Sequence, residues 1–116
     1  MIARTWKGAV RSHDSDAYAD YMRKTGIAEY AATPGNCGVW MLRRDVDEQT
    51  EFLMFTLWDS LDAVKAFAGD EYETAVFYPE DERFLVSRDP TTTHYRVETE
   101  ILPSRSTTLA DDPDTG

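Results

Sequence analysis

Few side chains in this sequence combine reactivity with a place that regular structure would hold still. His94 and Arg96 alternate with Tyr95 and Val97 in TTTHYRVETEIL, Arg4 and Trp6 alternate with small or polar residues in IARTWKGAV, and Trp58 closes the apolar run FLMFTLW. Histidine has the unperturbed pKa closest to neutrality, about 6.5, and suits proton transfer. Arginine holds anions, and tryptophan offers a large flat wall. Each has a plainer reading. The tryptophans can be core, Arg4 and Arg96 can pair with Glu98 or Glu100 on adjacent strands, and His94 can be a surface or hydrogen-bonded residue at a strand start. His13 reads as a loop residue before a helix. Glu80-Asp81-Glu82 reads as solvated surface, since it lacks the glycine and alternate ligands of a calcium loop.

The elements that must position these residues fit a short chain. With 116 residues, 41% of them hydrophobic, the sequence supports one globular domain with a single modest core. Twenty-two acidic side chains against 12 basic ones give a net charge of −10, which repels phosphate backbones and anionic lipid and argues against nucleic-acid and membrane partners. Cys37 is the single cysteine, which excludes an intrachain disulfide and multi-cysteine zinc sites and fits a reducing compartment. The N-terminus has no long apolar core, and no run approaches the roughly 20 apolar residues of a membrane span, so a soluble cytoplasmic protein is expected.

Residues 51–69 (EFLMFTLWDSLDAVKAFAG) organise the rest. An unbroken apolar and β-branched run predicts a strand covered on both faces, Asp59-Ser60 supplies a helix N-cap, and Leu61, Val64, Phe67 and Ala68 fall on one helical face until Gly69. Residues 2–10 predict a first strand with Arg4 and Trp6 on its bulkier face. Ser12 or Asp14 can cap a helix to about residue 25, on which Tyr18, Tyr21 and Met22 share a face; Gly26 interrupts it, residues 27–30 add a turn, and TPGN makes a tight turn. Residues 38–44 predict the second strand, 45–50 a polar hairpin connection, and 91–102 the fourth strand. Between them Tyr72, Ala75, Val76, Phe84 and Leu85 can pack on the sheet edge, and Pro79 limits any helix to the segment before it. The rest, 103–116, reads as a flexible acidic tail.

The order is β-α-β-β-α-β. Short connections and right-handed crossovers turn it into an α+β, ferredoxin-like, four-stranded antiparallel sheet over residues 1–102, with both helices on one face. The other face would carry Leu53, Phe55, Leu57, Tyr95 and Val97, an apolar patch that a second copy of the chain can cover by two-fold symmetry.

The strand ending in TLW, the DS that follows, the AFAG helix end, the PGNCG turn and the closing HYRV strand together resemble the antibiotic biosynthesis monooxygenase (ABM) domain of the dimeric α+β barrel group. The resemblance spans residues 2–102 and implies that fold. Its members include cofactor-free oxygenases of polyphenolic polyketides, haem degraders and quinol oxygenases. In the haem degraders an asparagine, a tryptophan and a histidine ligand recur; here Trp58 matches the tryptophan, but Trp6 stands at the asparagine position and Phe77 or Tyr78 at the histidine position. The iron ligand is therefore missing unless His94 substitutes for it, which argues against haem degradation and against a bound metal or cofactor.

If Trp58 faces the pocket as the resemblance implies, Arg4, Trp6, His94 and Arg96 line the same cavity under a roof of Tyr18, Tyr21, Met22 and Tyr72, shaped for a flat aromatic ligand. The implied reaction is oxidation of a polyphenolic or quinol-like molecule by O₂, with His94 as base, Arg4 or Arg96 holding the anion, and Trp58 and Trp6 clamping the ring. Two other readings use the same cavity: a non-oxidative cyclase, isomerase or dehydratase with His94 as acid and base, and a ligand-binding dimer without turnover.

Overall fold

The central strand is β1 (Ile2–Arg11), and β3 (Gln49–Trp58) pairs antiparallel along its whole length, from Ile2 opposite Trp58 to Arg11 opposite Gln49. This computed structural model describes residues 1–75 and 80–102. On the far side of β3 lies β2 (Asn36–Val46), joined to it by a two-residue turn in which Asp47 takes a left-handed backbone (φ 57°). The expected hairpin is thus present but tighter, and both of its strands are longer than the 38–44 and 52–58 cores of the apolar pattern.

Between β1 and β2, residues Ser12–Asp14 make one 3₁₀ turn, followed by α1 (Ser15–Lys24) and α2 (Gly26–Ala32). The break at Gly26 is where the sequence puts it. The expected side-chain cap is not: neither helix receives a side-chain hydrogen bond at its N-cap, because the 3₁₀ turn carries the chain directly into α1. After β3, Ser60 Oγ accepts the Ala63 N–H at 3.1 Å and begins α3 (Leu61–Ala68), which ends at Gly69. Both ends match the cap and stop signals in the sequence.

The fourth position in the sheet departs from the expectation. Instead of one strand over 91–102, two short strands share the free edge of β1 end to end. After the single-turn α4 (Asp81–Phe84), β4 (Leu85–Arg88) pairs with Gly8–Val10, and β5 (Thr93–Arg96) pairs with Ile2–Thr5. Sheet order is β2-β3-β1-β4, with β5 on β1 beside β4, so the ferredoxin-like order holds with its last strand interrupted. The break lies beside Trp6, which folds over Gly8, where a Cβ would lie 2.6 Å from the indole, and donates its N–H to the Asp89 carbonyl at 2.7 Å. Asp89 still donates its N–H to the Lys7 carbonyl at 2.9 Å, and residues 90–92 then leave the edge; past β5 the Val97 N–H reaches the Met1 carbonyl.

The helices cover one face. Its core joins Trp6 and Val10 of β1, Phe52, Met54 and Trp58 of β3, Tyr18, Ala19 and Met22 of α1, Tyr30 of α2 and Val64 of α3. On the other face Leu53, Phe55, Leu57 and Val97 are half-buried, whereas Trp40 is 46% and Tyr95 56% exposed, with Trp40 edge-on to Phe55. Within one chain β3 is therefore covered on one face only. No helix among the described residues is long and apolar enough to cross a membrane. Val76, Phe77, Tyr78 and Pro79, and the expected tail 103–116, lie outside the described residues.

Candidate functional site

Cross-strand register decides which of the candidate residues meet. Arg4 lies between Thr56 of β3 and His94 of β5, and the next row holds Trp58, Ile2 and Arg96. Residues paired in this way point to the same side of a sheet. The shared side faces the helices, since Arg4 and Trp58 are buried beneath them. His94, Arg4 and Trp58 thus form one constellation, as the alternation of the strands implies.

Two further rings, Tyr30 and Phe67, pack against its Trp58. Tyr30 and Phe67 pack at 4.8 Å between centroids, Phe67 and Trp58 at 5.5 Å, and Tyr30 stands edge-on to Trp58 at 6.4 Å. The Arg4 guanidinium lies 5.7 Å from the Phe67 centroid, within cation–π range. Burial raises the Tyr30 phenol above its ordinary pKa, while the nearby Arg4 pulls the other way. Trp58 spends its indole N–H on Thr56 Oγ1 at 2.9 Å, and that hydroxyl donates in turn to the Arg4 carbonyl. Trp58 is therefore a fixed, fully buried wall.

His94 lies further out. Its ring meets Tyr72 edge-on, 5.1 Å between centroids, and Lys65 Nζ lies 5.6 Å from the same tyrosine ring. Tyr72 is held by the excursion that splits the sheet edge. Thr92 Oγ1 donates to the Tyr72 carbonyl at 2.9 Å, Thr92 N–H donates to the Glu73 carbonyl at 2.8 Å, and Ala75 N–H donates to the Pro90 carbonyl at 3.0 Å. The result is a cleft of 440 Å³ between β5 and the segment after α3, lined among others by Ile2, Leu61, Tyr72, Glu73, His94 and Arg96. His94 has its pKa lowered, first by burial and then by the Arg4 charge, with Glu73 opposing. Its Nε2 is buried and meets no hydrogen-bond partner among the described residues. It is neutral at pH 7 and able to accept a proton.

The other expected residues separate. Arg96 lines the cleft but is largely exposed and pairs at 3.4 Å with Glu98, two residues past the end of β5, a contact of little energetic consequence in water. Arg4 takes part in none of the ion pairs among the described residues. Trp6 lies on the same face but reaches toward Leu85 and Asp89. Tyr18 packs on Phe52 and Phe84, and Tyr21 on Phe84. Because Phe52 is opposite Gly8 while His94 is opposite Arg4, Tyr18 sits about 13 Å further along β1 at roughly 3.3 Å per residue. Tyr18 and Tyr21 therefore roof a second aromatic cluster, away from the cleft, and Met22 is buried in the shared core. The residues that sequence reasoning passed over are Tyr30, Phe67, Glu73 and Thr92. Thr92 had a signal, since it shares the period-two face of His94; Phe67 had another in its spacing from Val64.

A four-position antiparallel sheet covered on one face by helices, in the order β2-β3-β1-β4, is the architecture of the ABM-type domain. Solved structures carry the same likeness. A provisionally assigned antibiotic biosynthesis monooxygenase from Bacillus cereus superposes with a TM-score of 0.61 at 17% identity, covering 88% of this chain and 97% of its own. SnoaB, a cofactor-independent oxygenase from Streptomyces nogalater in its N63A form, gives 0.59 at 15% identity, covering 89% and 97%. A monooxygenase from the gene ActVA-Orf6 of Streptomyces coelicolor, bound to nanaomycin D, gives 0.56 at 13% identity, covering 89% and 92%. No family model and no curated protein matches the sequence. The chain has an ABM-like fold, and at these identities the likeness extends to the fold alone.

Proposed function

We propose that this chain is a small oxygenase of the ABM type, which oxidises a flat phenolic or quinol-like molecule with O₂ and without a bound cofactor. The observation that carries this reading is His94: a neutral imidazole whose Nε2 has no partner among the described residues, on the lining of a cleft it shares with Tyr72 and across from a buried arginine on β1. The fold it shares with a cofactor-independent oxygenase adds support.

In this reaction the substrate supplies the electrons. His94 takes the phenol proton, and the phenolate passes one electron to O₂. The resulting phenoxyl radical and superoxide combine at the ring carbon para to the oxygen, and the peroxide takes up a proton. Loss of water, with loss of the ring hydrogen, leaves a quinone. One oxygen atom enters the product and the other leaves as water, so a phenol and O₂ give a quinone and H₂O. Arg4 stabilises the negative charge carried first by the phenolate and then by superoxide, and Tyr72 and the Phe67 wall keep water from it. Arg96, at the open rim, is suited to guiding an anionic substrate inward.

Oxygen uptake with a naphthol or an anthrone tests this directly, and His94→Ala should lower the rate by about 10²-fold or more if the imidazole is the base. Unchanged uptake in the variant would remove His94 from the mechanism. Tight binding without any uptake would favour non-oxidative acid–base chemistry or ligand binding alone. The open sheet face, with Trp40, Leu42, Phe55 and Tyr95, completes the proposal as a homodimer seam, because apolar surface of this kind is rarely left wet. Sedimentation should give twice the chain mass, and Trp40→Glu should shift it towards one; a monomeric wild type would refute the seam.

A further inference from the structure

We propose that the ligand of this cleft carries a carboxylate beside its aromatic ring, chelated side-on by Arg4; this rests on reading the cleft as an aromatic-substrate site. Arg4 is 3% exposed and makes no ion pair among the described residues. Its two nitrogens without hydrogen-bond partners are Nε and Nη2, both buried. These two lie on the same edge of the guanidinium and offer parallel N–H groups at the spacing of two carboxylate oxygens. A lone phenolate oxygen would use one of them. A carboxylate uses both and brings the counter-charge that the buried cation lacks.

The surroundings leave room for the rest of such a molecule. Ile2 and His94 both line the cleft and both flank Arg4, one along β1 and the other across to β5. Arg4 itself lies behind these two residues and off the cleft lining, and the 440 Å³ of the cleft fits a fused aromatic acid. Because the orphan nitrogens are covered, entry of the carboxylate requires the side chains between them and the cleft to move. An ortho hydroxyl on the same ring would then lie next to His94 Nε2, the third unpartnered atom of the group. The preferred substrate class is an ortho-hydroxy aromatic acid.

Three probes separate the possibilities: 1-hydroxy-2-naphthoate, its methyl ester and 1-naphthol, with binding followed by calorimetry and by the melting temperature of the protein. The acid should bind at least about tenfold tighter than the ester or the naphthol and should alone raise the melting temperature appreciably, as expected for two charge-assisted bonds. Arg4→Met should abolish that preference, and Arg4→Lys, which keeps the charge without the fork, should keep only part of it. Equal binding of acid and ester, or binding of none of the three, would overturn the proposal, the guanidinium then being satisfied by buried water. Should Arg4→Met fail to fold, the acid-to-ester ratio of the wild type decides alone. Oxygen uptake in the same solutions keeps the two readings apart. Preference for the acid without uptake sinks the oxygenase and leaves the anion site; uptake with 1-naphthol and no preference for the acid does the reverse.

Discussion

Two buried charges sit among aromatic rings on the helix-facing side of this sheet, and the protein treats them differently. Towards the β4 end, Asp81 is 3% exposed among Tyr18, Tyr21, Phe52 and Phe84, and the Tyr18 hydroxyl donates to its Oδ1 at 3.4 Å. Burial, and then the Asp81 charge, raises the Tyr18 phenol far above its ordinary range, so it stays a hydroxyl donor at any physiological pH. Towards the β5 end, Arg4 is equally buried among Tyr30, Phe67 and Trp58, yet two of its nitrogens meet no acceptor among the described residues. One charge is answered from within the chain and fixes α4 against α1. The other awaits something from outside. Burial and aromatic surroundings alone do not distinguish a scaffold from a site; hydrogen-bond satisfaction does.

The comparison breaks first at the satisfied end. Asp81→Ala strips the Tyr18 hydroxyl of its buried acceptor and should destabilise the fold by about 1–3 kcal/mol, read as a lower melting temperature with the substrate-binding constant unchanged. A variant that melts like the wild type would mean that Asp81 is not a structural anchor. At the unsatisfied end the sign should reverse. Arg4→Met keeps length and apolar contact with Phe67 while removing an unpaired buried cation, and should leave stability unchanged or raise it by about 1 kcal/mol. A large loss of stability from Arg4→Met would show that the arginine is structural too, and the contrast between the two ends would collapse.

How much of this contrast was legible beforehand depends on the range of the interactions behind it. The β3-α3 unit could be read residue by residue, because its apolar run, the Ser60 cap and the Gly69 stop act within a few positions of one another. Period two likewise put Arg4, Trp58 and His94 on one face. The split of the last strand could not be read, since it lies beside an indole at position 6 that bonds a carbonyl at 89. The roof was misassigned for a similar reason: Tyr18, Tyr21 and Met22 have the correct helical spacing, but spacing says which face is buried and not how far along the sheet it lands. Arg4 was the hardest case. In a strand that alternates apolar and polar residues it looks like a partner for Glu98, and only the rings from α2 and α3, remote in sequence, make it a buried cation.

The smallest expected effect is the most diagnostic, because it measures coupling across the site. His94 titrates below the ordinary histidine range for two reasons, burial first and then repulsion from Arg4, and Glu73 partly offsets them. Proton NMR of the His94 ring should therefore show a midpoint below 6.5, the unperturbed value. Since the native imidazole binds its proton less readily than the unfolded one, His94 lowers stability as pH falls from about 6.5 towards its native midpoint and has no effect above that range. Turnover that uses the neutral ring should rise through the same midpoint and level off at neutral pH. Arg4→Met removes the second cause and should move the midpoint up, and Glu73→Gln removes the offset and should move it down. If neither variant shifts His94, the imidazole and the guanidinium do not share one site, and Arg4 belongs with Asp81 among the residues that only build the fold.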